Sequence, residues 1–106
     1  MSHEQIAFVV RLPARAEFRE EFEARLLGVV EAMAKEPDFV NTTIHKSAED
    51  PDTYVLYETW ACSQEYFMTH HLSKNYRHEY EAALPRLLKA PRQIDFLVPT
   101  HAFVKA

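Results

Sequence analysis

Glycine is almost missing from this chain: Gly28 is the only one in 106 residues, and it falls inside a stretch patterned as a helix. Loops that cradle phosphate, and the first turn of dinucleotide-binding folds, need glycines where backbone must approach the ligand closely. The sequence therefore carries no case for a P-loop or a Rossmann-type site. Cysteine is equally scarce. Cys62 stands alone, so no disulfide can close within the chain and a reducing compartment is expected. Beside a strand end, that thiol is expected to be an inert small residue. No apolar run approaches the ~18 residues of a membrane span, and no basic leader precedes a short apolar segment. A cytoplasmic protein without a membrane partner is the expectation.

Positive charge is also thin. The net charge is −4, and the basic residues lie scattered among acids. The densest basic run, RLLKAPR from Arg86 to Arg92, brings no interleaved aromatics, which argues against nucleic acid as a partner. The length suits one domain, residues 1–106 with a core of about 6–99. A chain this short buries only about two thirds of its unfolded surface. Holding a ligand cavity as well calls for a partner subunit, so a homodimer is expected.

What the chain does contain is a clear alternation of strand and helix signals. Ile6 to Leu12 (IAFVVRL) reads as a strand ended by Pro13. From Arg15 to Lys35, Phe18, Phe22, Leu26, Val29, Val30 and Met33 mark one helical face, and Pro37 stops the helix. Phe39 to Lys46 reads as a second strand, with Val40, Thr42 and Ile44 on one face and Asn41, Thr43 and His45 on the other. The Asp- and Pro-rich segment Ser47 to Thr53 is a turn into a third strand ending at Trp60, which places Leu56, Glu58 and Trp60 together. Ser63 is expected to cap a short helix through His71, and Ser73 a further helix with Tyr76, Tyr80, Leu84 and Leu88 in steps of four. Pro85 should kink or end that helix. Gln93 to Val98 is the last strand. The order β-α-β-β-α-β predicts an α+β fold of the ferredoxin-like, split βαβ kind, with a four-stranded antiparallel sheet and both helices on one face. A second copy of the sheet would cover the other face.

Chemistry concentrates between Tyr54 and Ser73 (YVLYETWACSQEYFMTHHLS), where Trp60, Tyr66 and His70 are expected to converge on one pocket. His70 suits a general acid or base, because imidazole titrates near neutral pH. Trp60 would wall the pocket and stack on a planar substrate. Glu58 shares its face; half burial would raise its pKa toward a base role, the alternative being an answer to a cation or amide across the sheet. Of the phenols Tyr57, Tyr66, Tyr76 and Tyr80, Tyr66 or Tyr80 is the expected ligand contact. Asn41 and His45 share a strand face and could supply hydrogen bonds. The six histidines (His3, His45, His70, His71, His78 and His101) show no metal-ligand spacing, and no metal is expected.

Three stretches, EFEARLLGVVEAMAKEPDF, IHKSAEDPDTYVLYETW and HHLSKNYRHEYEAAL, together resemble the antibiotic biosynthesis monooxygenase family over roughly Ile6 to Pro99. The resemblance implies a ferredoxin-like subunit that pairs sheets with a second copy into a dimeric α+β barrel. It also implies a pocket histidine, matched here by His70. One extra residue after Trp60 leaves His71 as the alternative. Related proteins include cofactor-independent oxygenases of quinols and aromatic polyketides, haem-degrading oxygenases, and an isomerase. Haem-degrading relatives carry a first-strand asparagine; the matching stretch here is Phe8-Val9-Val10-Arg11, which argues against haem. The resulting expectation is a cofactor-independent monooxygenase acting on a small quinol or aromatic phenol. In that reading His70 takes the proton, Trp60 stacks the ring, and a tyrosine or Asn41 holds the substrate oxygen. The alternatives are a non-oxidative isomerase using Arg77 or Arg86 as its cation, and a small-molecule-binding protein without catalysis.

Overall fold

The computed structural model describes residues 4–106. His3 lies outside the described residues. Strand β1 (Ile6–Pro13) leads through a single 3₁₀ turn into helix α1 (Arg19–Met33), then β2 (Phe39–Lys46) and β3 (Thr53–Trp60). Helix α2 (Gln64–Tyr66) continues as a π-helical turn, Phe67–His71. A 3₁₀ turn (Asn75–Arg77) opens helix α3 (His78–Leu87), and β4 (Gln93–Leu97) completes the sheet. The strand order is β2-β3-β1-β4, antiparallel at every pairing. This is the expected ferredoxin-like α+β subunit.

Alternation decides which side chains meet the helices. Phe8, Val10 and Leu12 of β1 and Tyr54, Leu56, Glu58 and Trp60 of β3 are buried on one face. Against them pack Phe22, Leu26, Val29 and Met33 of α1, and Tyr80, Ala83, Leu84 and Leu87 of α3. The opposite face is open, with Tyr57 and Leu97 exposed. After β4 the chain runs on without regular structure and exposes Val98, Phe103 and Val104. No helix among the described residues is long and apolar enough to cross a membrane.

Two local expectations are corrected. Strict alternation grouped Val40 on one face with Thr42 and Ile44, but the register shifts between Phe39 and Asn41. Val40 is the bulged residue and is exposed, whereas Phe39 packs edge-on against Trp60 at 5.4 Å. An edge-to-face aromatic pair outweighs one valine. Ser63 caps as expected, accepting from the Tyr66 amide at 3.0 Å. Ser73 does not: its hydroxyl donates backwards to the Thr69 and His70 carbonyls, closing the π turn instead of opening a helix. Pro85 sits inside α3, which ends two residues later at Leu87.

Candidate active site

Between the helices and the sheet lies a small cavity of about 30 Å³. Phe8, Val10, Leu56 and Phe67 are among its apolar walls, and its polar lining is Glu58, Arg77, Tyr80 and Arg92. Each polar group arrives for a simple reason. Glu58 is the one acid in the inward alternation of β3, between Leu56 and Trp60, and is 5% exposed. Arg77 closes the 3₁₀ turn that opens α3, and Tyr80 follows one turn later. Arg92 stands immediately before β4.

The electrostatics of this set are uneven. Glu81 accepts from Arg77 Nη2 and from Arg92 Nη1, both at 2.9 Å. Burial pushes the Glu81 carboxyl up, but the hydrogen bonds and charges of Arg92 and Arg77 outweigh it and hold the pKa below the ordinary value. Glu58 has the opposite outcome. Its burial is the largest effect and raises the pKa, against the Trp60 hydrogen bond and the more distant charges of Arg77 and Arg92. That hydrogen bond runs from Trp60 Nε1 to Glu58 Oε1 at 3.1 Å. Tyr80 is pushed up to about 12 by burial, so it faces the cavity as a neutral phenol. Arg77 Nη1 also donates to Met33 Sδ at 3.3 Å, while its buried Nε–H has no acceptor. The cavity thus combines a carboxylate whose pKa burial raises, a neutral phenol and an unused guanidinium donor. Such a set can accept a proton and hold an oxyanion.

The sequence-predicted residues divide. Tyr80 lines the cavity as expected. Trp60 is fully buried among Phe39, Phe67 and His71, and reaches the cavity only through its hydrogen bond to Glu58. The expected convergence of Trp60, Tyr66 and His70 is not what the chain does. His70 is on the outer surface, stacked on exposed Tyr66 with ring centroids 4.0 Å apart and Thr69 Oγ1 at 2.9 Å from its Nδ1. His71, not His70, meets Trp60, at 4.5 Å between centroids. The π turn is the reason: it closes with the Leu72 amide on the Phe67 carbonyl, and Phe67 and His71 point inward together. Asn41 and His45 pair with Thr59 and Val55, which puts them on the open sheet face, away from the cavity. His45 Nδ1 donates to the Val55 carbonyl at 3.2 Å. Arg86 is exposed and paired with Glu21, so it is no part of this site.

Sequence reasoning passed over Glu81 and Arg92. The i,i+4 spacing of Arg77 and Glu81 was a visible signal. Nothing local tied Arg92 to that pair, because the contact spans two elements.

Residues 5–90 match the profile of the family described as antibiotic biosynthesis monooxygenase. No match was found among curated proteins. Solved structures resemble nearly the whole chain. Rv0793 from Mycobacterium tuberculosis is 20% identical, covers 93% of this chain and 98% of its own, and superposes with a TM-score of 0.82. PA3566 from Pseudomonas aeruginosa is 16% identical, with 95% and 100% covered and a TM-score of 0.83. A Caulobacter crescentus protein described as a candidate antibiotic biosynthesis monooxygenase is 21% identical, with 93% and 92% covered and a TM-score of 0.80. At these identities the structural likeness establishes the fold, and the profile match establishes the kinship: the chain belongs to the antibiotic biosynthesis monooxygenase family.

Proposed function

We propose that this protein is a monooxygenase that oxidises a small quinol, anthrone or related phenol with dioxygen and needs no bound cofactor. The observation that carries the reading is Glu58, a buried carboxylate of raised pKa at a cavity that also holds Tyr80 and the unpartnered Arg77 Nε–H. A base of that kind removes the proton from an acidic phenol or enol. The resulting electron-rich anion reduces dioxygen directly, so the protein supplies a dry pocket, a base and hydrogen bonds to the anion. For an anthrone the balance is R₂CH₂ + O₂ → R₂C=O + H₂O. The substrate carbon gives up four electrons, one oxygen atom enters the product and the other leaves as water.

In this reading Glu58 takes the proton, and Arg77 and Tyr80 hold the substrate oxygen. His70, exposed and stacked on Tyr66, is left without a part in proton transfer. A cavity of about 30 Å³ admits water but not a fused ring, so in this reading the cavity widens when substrate enters. The proposal includes a homodimer in which a second copy covers the open sheet face that carries Tyr57 and Leu97. Its test is oxygen uptake with anthrones and naphthoquinols, comparing the native chain with Glu58→Gln and His70→Gln. Uptake above the spontaneous rate, reduced about 100-fold or more in Glu58→Gln and unchanged in His70→Gln, is the expected result. No uptake on any substrate overturns the oxygenase reading, and loss in His70→Gln alone moves the base.

A further inference from the structure

Outside the lining of the Glu58 cavity, three side chains meet that the sequence never placed together. Asp38 lies just before β2, Cys62 just after β3, and His71 ends the π turn. Their donor atoms all lie within 4.8 Å of one another. We propose that Asp38, Cys62 and His71 bind one divalent cation of borderline softness, with zinc the best match. This inference is independent of the oxygenase reading.

The donor chemistry points to that class of metal. A thiolate, an imidazole and a carboxylate are the ligand types zinc takes, whereas calcium and magnesium require oxygen ligands throughout. Thiolate and carboxylate together carry two negative charges, which neutralise a divalent ion in a half-buried place. Binding releases the thiol proton and changes no oxidation state. The backbone already ties the two loops, since the Ala61 amide donates to the Asp38 carbonyl at 2.7 Å. Asp38 and Cys62 are only partly buried, which leaves the ion a path in and a fourth position for water.

His71 supplies the independent observation. It is 4% exposed, its Nε2–H donates to Asp38 Oδ2 at 3.0 Å, and its buried Nδ1 has no hydrogen-bond partner. The nearest carboxylate oxygen, Glu36 Oε2, is 3.8 Å from that Nδ1. With the ring proton on Nε2, a lone pair faces a carboxylate. A cation at Nε2 displaces that proton, and the ring then carries its hydrogen on Nδ1, aimed at Glu36. The orphan becomes a donor with an acceptor beside it. This is the carboxylate–histidine–metal arrangement in which an outer carboxylate orients the ligand. Glu36 is itself held by the Tyr76 hydroxyl at 3.0 Å and Lys74 Nζ at 3.3 Å, so it is placed to serve.

The site has a built-in reporter, because Trp60 is the only tryptophan and its ring packs against His71, 4.5 Å between centroids. Untagged protein is titrated with cobalt(II), then with zinc. One cobalt per chain is expected, with a thiolate-to-cobalt charge-transfer band, quenching of Trp60 and loss of both on adding zinc. Cys62→Ser should remove the charge-transfer band and weaken binding at least about tenfold. Glu36→Gln should keep the band and weaken binding about 10–100-fold, as loss of an orienting carboxylate does. Circular dichroism and metal-free melting establish that each variant is folded. Absence of the band in the native chain overturns the site. So does cobalt binding of unchanged strength in both Cys62→Ser and Asp38→Asn, which would place the ion on other histidines.

Discussion

Trp60 donates its indole hydrogen to Glu58, Nε1 to Oε1 at 3.1 Å, although the two leave the same strand only two residues apart. The bond joins the largest fully buried side chain to a carboxylate that nearby guanidiniums influence only through space. Burial prevails over those attractions and biases the carboxyl pKa upward from its ordinary value.

That bias has a stability signature. The folded-state pKa of Glu58 is raised above its unfolded value, so the stability it contributes is complete below about pH 4.5 and is lost as pH rises through the folded pKa. Glu58→Gln keeps an acceptor for Trp60 and removes the titration. Relative to native, the variant should therefore gain stability as pH rises from 4.5 toward neutrality, measured by urea unfolding across that range. A difference independent of pH would contradict the raised pKa.

Two neighbours tune Glu58 in opposite directions. Trp60→Phe removes the hydrogen bond that favours the carboxylate, so the acid limb of the pH–rate profile should move to higher pH. Glu81→Gln frees Arg77 and Arg92 from their shared partner and should move the same limb to lower pH. Steady-state oxygen consumption against pH distinguishes the two. Shifts in the same direction would mean that Glu58 does not set the limb.

Gly28 lies exposed in the middle of α1, and a Cβ built there meets nothing within 4 Å. Gly28→Ala should stabilise the fold by about 0.5–1 kcal/mol, because the unfolded chain loses freedom and the helix gains a better former. In a domain of this size that corresponds to a rise of about 2–8 °C in Tm. Calorimetry on the purified variant is sufficient.

Tyr54 donates its phenol to Glu23 Oε1 at 2.6 Å, and burial first, then that carboxylate, pushes it up to about 12. Tyr54→Phe should cost about 0.5–1.5 kcal/mol at neutral pH. The raised pKa makes the contribution complete below about pH 10 and lost as pH rises toward 12. Chemical denaturation at pH 8 and pH 11 should therefore show the gap between native and variant narrowing.

Much of this architecture was readable without coordinates. The period-two run of β3 put Leu56, Glu58 and Trp60 on one face, and the spacing from Phe18 to Met33 marked the buried side of α1. Prolines and the Asp-rich turn marked where elements stop. Ser63 announced its cap because capping depends on residues three positions away. These signals are local, and local geometry follows from the order of residues alone.

The site was not local, and only the tertiary structure decided it. A π turn is set by how its ends pack, so nothing in THHLS revealed that His71 faces Trp60 while His70 faces water. The side of the sheet that holds the cavity depends on where both helices land, which separated Asn41 and His45 from Glu58. Arg77, Glu81 and Arg92 meet because α3 and the start of β4 fold over one edge. Asp38, Cys62 and His71 come from two loops and the π turn. Periodicity determines which face a residue occupies on its own element; only packing between elements determines which faces meet.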